Sequence, residues 1–204
     1  MKRPIMDVSA FTIDADAIFT VTAPMINGGI SKSGGGSLVL EPYLASTFNG
    51  PVVVNSGVLE AKGDGALGTS QGGVTIANGG TVKLNSGWVF GDDFTVSGPG
   101  ALVPGGLGLR EVGALVAESG TIHLTGAVTI SGGATLAGNT FLEPSVTPST
   151  GGIPYRIGTL RIEAAGGISG TGTVTLSGHG DGVVVNGIKN GNGRQNAHTN
   201  GGSE

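Results

Sequence analysis

The sequence predicts an all-β chain wound as a parallel β-helix, and three observations carry that reading. Apolar and polar residues alternate over short runs; glycine and asparagine cut those runs at close intervals; and one apolar-Thr-apolar block returns along the chain. Between Gly34 and Leu84, Val52 and Val54, Val74 and Ile76, and Val82 and Leu84 each sit two positions apart. In a strand that spacing puts each pair on one face. Thr75, Thr81 and Lys83 then fall on the other face, with turn chemistry between the strands.

The repeat is explicit. Val74-Thr75-Ile76-Ala77-Asn78-Gly79-Gly80-Thr81-Val82 aligns with Val128-Thr129-Ile130-Ser131-Gly132-Gly133-Ala134-Thr135-Leu136. Thr173-Val174-Thr175-Leu176-Ser177-Gly178 restarts the pattern, Val183 to Gly187 closes it, and Gly120 to Gly126 is a half copy. Unequal spacing between copies is expected when insertions sit at corners. An antiparallel β-sandwich accommodates the same local pattern, because Asn78-Gly79 fits a two-residue hairpin turn. Composition favours the coil. Outward positions return to Thr, inward ones to Val, Ile and Leu, and aromatics make up only 4%, where a sandwich core normally holds more. Layers about 4.8 Å apart reward the same side chain in the same column.

Taken in order, Val8 to Val21 gives two opening strands, with Phe11 and Ile13 two apart and Ile18 to Val21 apolar-rich. Residues 1–27 are expected to cap the open sheet edge that a stack leaves at its end. Residues 28–187 read as the repeat domain. Within it, a loop at about 143–154, bounded by Pro144 and Pro154, is expected to leave the stack. Residues 188–204 read as a flexible Gly/Asn-rich tail or linker, in which Ile188 and Ala197 are the apolar residues. No window holds a helical apolar stripe free of Gly or Pro. Leu109 to Glu118 comes nearest, but Gly113 lies within it, and it is read as strand. At about 20–25 residues per rung the chain makes roughly eight rungs, a rod on the order of 40 Å long.

Composition narrows the function classes. Forty-two glycines in 204 residues is about three times the usual share, yet no strict Gly-x-y period exists, which excludes collagen. With 38% hydrophobic residues, a net charge of −4 and a mean hydropathy of +0.22, the chain reads as folded. Ten basic residues against fourteen acidic ones form no basic patch, so no nucleic-acid partner is expected. Cysteine is absent, which removes disulfides and thiolate metal sites. No apolar run is long enough for a membrane-spanning helix. Met1-Lys2-Arg3-Pro4 starts like a basic leader, but Asp7, Asp14 and Asp16 interrupt what would be its apolar region, so no signal peptide is read.

Candidate sites are few. Trp88, Phe90, Asp92 and Asp93 bring aromatics beside an acidic pair and form a candidate ligand-binding patch for carbohydrate. Paired carboxylates also cleave glycosidic bonds, but adjacent residues in a strand point to opposite faces. The plainer reading is a solvated corner after Gly91. His123, in Thr-Ile-His-Leu-Thr, faces outward without a nearby partner in sequence. Gly178-His179-Gly180-Asp181-Gly182-Val183 resembles one imperfect copy of a calcium nonapeptide, a site that needs tandem copies. Gly34-Gly35-Gly36 lacks the Lys-Ser/Thr and the helix of a phosphate loop. No catalytic residue, metal site or cofactor is expected.

One stretch resembles a known family. Gly28-Gly29-Ile30-Ser31-Lys32-Ser33-Gly34-Gly35-Gly36-Ser37-Leu38-Val39-Leu40, then Phe48-Asn49-Gly50, Val54-Asn55-Ser56-Gly57-Val58-Leu59 and Gly65-Ala66-Leu67-Gly68, is similar to the passenger-associated transport repeat of autotransporters, also called the autotransporter-associated β-strand repeat. The resemblance covers about residues 28 to 84, with weaker copies at 120 to 187. It implies a right-handed parallel β-helix passenger segment of a secreted or surface-displayed bacterial protein. Its role would be in export and stalk formation rather than catalysis, and its motif positions would be structural. The expected partners are the remainder of a longer autotransporter-like protein and a glycan or host surface, and the expected location is extracellular or at the cell surface. Two rival readings stand beside it: a β-helical polysaccharide lyase or hydrolase, and a carbohydrate- or host-binding module using Trp88, Phe90 and Asp92.

Overall fold

A computed structural model of the chain describes residues 8–85, 88–105, 108–138, 140–141, 156–178, 182–189 and 197–199. The alternation seen in sequence becomes parallel ladders on three faces. The first face stacks Val8–Thr12, Gly28–Ser33, Val52–Val54, Val74–Ile76, Phe94–Gly98, the first half of Val128–Gly138, and Ile168–Thr171. The second stacks Ile18–Val21, Ser37–Leu40, Gly57–Ala61, Gly80–Leu84, Leu115–Ala117, the second half of Val128–Gly138, Val174–Ser177 and Ala197–Thr199. The third stacks Val89–Phe90, Gly120–Leu124, Arg156–Ile162 and Gly182–Val184. The chain visits the faces in turn and each strand runs the same way as its neighbour above and below. This is a parallel β-helix, not an antiparallel sandwich. Among the described residues antiparallel pairing joins only Leu102–Gly105 to Gly108–Glu111, and Thr140–Phe141 to the start of Arg156–Ile162.

The register shows why the repeat is irregular. Partners on the first face are 22 residues apart at Ile30–Val52 and Val52–Val74, 20 at Val74–Phe94, and again 20 at Ile168–Ile188. The gap widens to 34 at Phe94–Val128 and to 40 at Val128–Ile168. The first wide layer contains the hairpin of Leu102–Gly105 and Gly108–Glu111. The second contains the expected loop at 143–154, which lies outside the described residues. The aligned repeat copies share columns: Val74 and Val128 both pair with Phe94, while Val82 and Leu136 both pair with Leu115. The half copy at Gly120 belongs instead to the third face.

Pairing continues at both ends of the described stack. The opening strands form the first layer of the coil itself, Val8–Thr12 pairing with Gly28–Ser33 and Ile18–Val21 with Ser37–Leu40. In the segment read as a flexible tail, Ile188 bridges Ile168 and Ala197–Thr199 pairs with Val174–Leu176. Ile188 follows Ile168 by one regular layer, so an apolar residue arrives where the stack already has its column.

Inward columns build the core. Ile30, Val52, Val74, Phe94, Val128 and Ile168 are 0–2% exposed, as are Leu38, Leu59, Val82, Leu115 and Leu136 on the second face. At about 1.5–3 kcal/mol for each fully buried aliphatic side chain, these columns supply the main driving force. Thr75 is exposed, as its alternation requires. Thr81, expected outward, is fully buried. Its hydroxyl donates to the Gly113 carbonyl at 2.7 Å and accepts from the Ala101 amide at 2.8 Å. Ala101 and Gly113 flank the hairpin insertion, so Thr81 is bonded to both of its ends.

Candidate functional site

The four residues proposed from sequence divide between inside and outside. Phe90 pairs with Leu124, which pairs with Ile162, and all three are core residues. The Trp88 carbonyl accepts the His123 amide at 3.0 Å, and the residue is 39% exposed. Asp92 is buried. Asp93 is exposed, and its Oδ1 accepts the Ala127 amide at 2.8 Å, fastening one layer to the next. Burial pushes the Asp92 carboxyl up to about 6, its own backbone amide opposes the shift, and the neighbouring Asp93 charge adds to it. Asp92 thus lies inside and Asp93 at the surface, and Phe90 belongs to the core.

Parallel stacking creates a charged cluster that the sequence does not announce. The register sets His123 between Val89 and Arg161, and Arg161 next to Val183, on the outside of the third face. Glu163 follows two residues after Arg161. Its Oε2 lies 3.3 Å from His123 Nδ1, and its other oxygen accepts from Arg161 Nε. Arg161 first, then His123, hold the Glu163 carboxyl below its ordinary value. His123 thus has a partner, contributed from across an insertion. All three side chains are about one-third exposed, where such pairs contribute little to stability.

A groove of about 560 Å³ opens between the second face and the hairpin. Ile18, Val58, Leu102 and Val103 give it apolar walls, and Glu60 and Lys83 also line it. Both charges are already engaged. Glu60 accepts from Asn85 Nδ2 at 2.8 Å and pairs with Lys62 at 3.5 Å, while Lys83 pairs with Glu118 at 3.3 Å. Among the described residues no group of three or more His, Cys, Asp or Glu side chains is placed to hold a metal ion. No described helix is long and apolar enough to cross a membrane. Residues 179–181 of the calcium-like motif lie outside the described residues.

The residues of the family-like stretch meet at one corner. Lys32 occupies an inward position in a column with Val54, Ile76, Val96 and Ile130, and is fully buried. Its ammonium donates to the carbonyls of Ser33 at 3.0 Å, Gly34 at 2.7 Å and Ser56 at 2.9 Å. All three of its protons are used. Burial pulls its pKa down to about 8. The side chain is consumed by the fold and does no chemistry outward.

The chain is 29% identical over 186 residues to the autotransporter adhesin BmaC of Brucella suis biovar 1 (strain 1330), a match that covers 86% of this chain. It spans about 5% of that protein's length. No family model matches the chain, and no solved structure matches it. The repeat resemblance thus rests on the motif residues themselves, and the chain is similar to a small part of a much longer autotransporter adhesin.

Proposed function

We propose that the chain is a β-helical stalk or passenger segment of a secreted or surface-displayed bacterial protein, serving export and adhesion as part of a longer polypeptide. The observation that carries the reading is the stack: parallel layers continue from Val8 to Ile188 on one face, and the motif residues are spent on holding layers together. Similarity over most of the chain to part of an autotransporter adhesin supports it. Each layer templates the next, so such a coil folds as it emerges and holds whatever lies beyond it at a distance. The role is structural, and catalysis is not assigned to it.

The test is display. The chain is placed between a secretion signal and an outer-membrane translocator barrel, and surface exposure is read by protease shaving of intact cells. Removing residues 52–73, one regular layer between Val52 and Val74, keeps every column in register and is expected to preserve display. Removing half that length throws the columns out of register and is expected to abolish it. Equal display from both deletions would overturn the reading.

A further inference from the structure

We propose that the corner around Lys32 is a monovalent-cation site, built from backbone carbonyls to hold an ammonium, which the chain fills with its own side chain. The carbonyl oxygens of Ser33, Gly34 and Ser56 stand 3.0, 2.7 and 2.9 Å from Nζ. The first two come from one layer and the third from the next. Left-handed backbone at Gly34, φ +80°, and at Gly57, φ +70°, turns the chain here. A Cβ on Gly57 would stand 2.6 Å from Nζ, so the room for the ammonium depends on that glycine.

Dipoles alone compensate this cation. Lys62 and Lys83 pair with Glu60 and Glu118, but among the described residues no carboxylate pairs with Lys32. The residue is fully buried. An isolated buried charge is too costly to keep, so the carbonyls must stand in for its water. Rings of backbone carbonyls do the same for potassium in channel filters. The distances suit an ammonium, which hydrogen-bonds to oxygen at about 2.7–2.9 Å. They are too long for magnesium or calcium, which hold oxygen at about 2.0–2.6 Å.

The carbonyls also need a donor. That of Ser33 accepts the Ile13 amide, but among the described residues those of Gly34 and Ser56 accept no backbone amide. At the corner one layer on, the Gly79 carbonyl accepts the Gly57 amide at 3.1 Å, and the column there holds Val54 and Ile76. Lysine therefore enters an otherwise apolar column at the layer where carbonyls converge without amide donors. Its stem fills the column and its ammonium fills the cage. If the cage is a cation site, a free ammonium can replace the tethered one.

The inference is independent of the stalk reading, and its test uses the purified chain. Lys32→Ala removes the atoms that propylammonium supplies. Urea unfolding at pH 7 is followed by circular dichroism across a propylammonium chloride series. Tetramethylammonium chloride, which has no N–H to donate, keeps total salt constant. Burial pulls the Lys32 pKa down to about 8, so wild type carries its own cation at that pH. In Lys32→Ala the folding equilibrium constant is expected to rise about tenfold as propylammonium reaches about ten times its dissociation constant. Wild type is expected to show no such rise, and propanol, the stem without the charge, to give none. If Lys32→Ala does not fold in plain buffer, recovery of the β-sheet signal on adding propylammonium is the same result. Lys32→Met keeps an unbranched stem and is the second variant: ammonium chloride is expected to raise its unfolding midpoint above that in sodium chloride. An equal gain from propanol, an equal gain in wild type, or no ammonium-specific gain in either variant would overturn the proposal.

Discussion

The Lys32 ammonium lies 2.9 Å from the carbonyl oxygen of Ser56, one layer further along the coil. The two residues come from separate motifs, Lys-Ser-Gly and Asn-Ser-Gly, and their contact ties the corner of one layer to the corner of the next. Such a buried cation survives because every proton on it has a carbonyl acceptor.

Gly57 roofs that corner. Its φ is +70°, and a Cβ there would stand 2.3 Å from the Gly34 carbonyl oxygen and 2.6 Å from Lys32 Nζ. Gly79 has φ +90° at the equivalent corner one layer on, but nothing lies within 4 Å of a Cβ. Gly79→Ala therefore carries the backbone cost alone, about 1 kcal/mol. Gly57→Ala adds a collision with backbone and is expected to cost about 3 kcal/mol or more. Urea unfolding of the two variants checks the difference.

Thr81 joins both ends of the hairpin insertion through its hydroxyl. Thr81→Val keeps the shape and leaves the Ala101 amide without that acceptor, at a cost of about 2 kcal/mol. Limited trypsin digestion is expected to cut after Arg110 faster in the variant than in wild type, before the core is attacked.

Inward and outward columns differ sharply in tolerance. Val54 and Leu84 are fully buried, and Thr75 is exposed. Val54→Asp and Leu84→Asp bury an unpaired carboxylate and are expected to prevent folding. Thr75→Lys is expected to shift stability by no more than about 0.5 kcal/mol. Melting followed by far-ultraviolet circular dichroism separates the three.

Asp92 gives the fold an acid-side pH response. Its folded pKa, about 6, lies above the ordinary 3.8, so the native state binds more protons than the unfolded state between those values. Its contribution to stability is fully present below pH 4 and is lost as pH rises through 6. Asp92→Asn removes the buried charge and is expected to gain about 2 kcal/mol at pH 7 and to flatten the difference between pH 4 and 6. Denaturant melts across that range measure both effects.

Period-two alternation made the faces legible before any coordinates, because it depends only on neighbours. Val52/Val54, Val74/Ile76 and Val82/Leu84 all point inward as read. The columns of the repeat were legible for the same reason, since equal side chains stack on equal side chains. Thr81 was misplaced because its burial comes from an insertion some twenty residues later. Lys32 sits at an inward position by alternation with Ile30, yet a lysine is ordinarily exposed, and only the three carbonyls explain its burial. The His123–Glu163 pair was hidden by forty residues of chain that include an insertion of uneven length. Phe90 cannot be told from a surface aromatic without its column, Leu124 and Ile162.

Layer order is the claim on which everything else stands, and the absence of native cysteine makes it directly measurable. Thr75, Thr95 and Thr129 occupy consecutive layers of one column, with Cα atoms about 4.8 Å apart between neighbours and about 9.6 Å apart across two steps. A disulfide does not span Cα atoms more than about 7 Å apart. Under mild oxidation Thr75→Cys with Thr95→Cys is expected to form an intramolecular disulfide, whereas Thr75→Cys with Thr129→Cys is expected to stay reduced. The reverse outcome, oxidation of the second pair and not the first, would contradict the parallel coil.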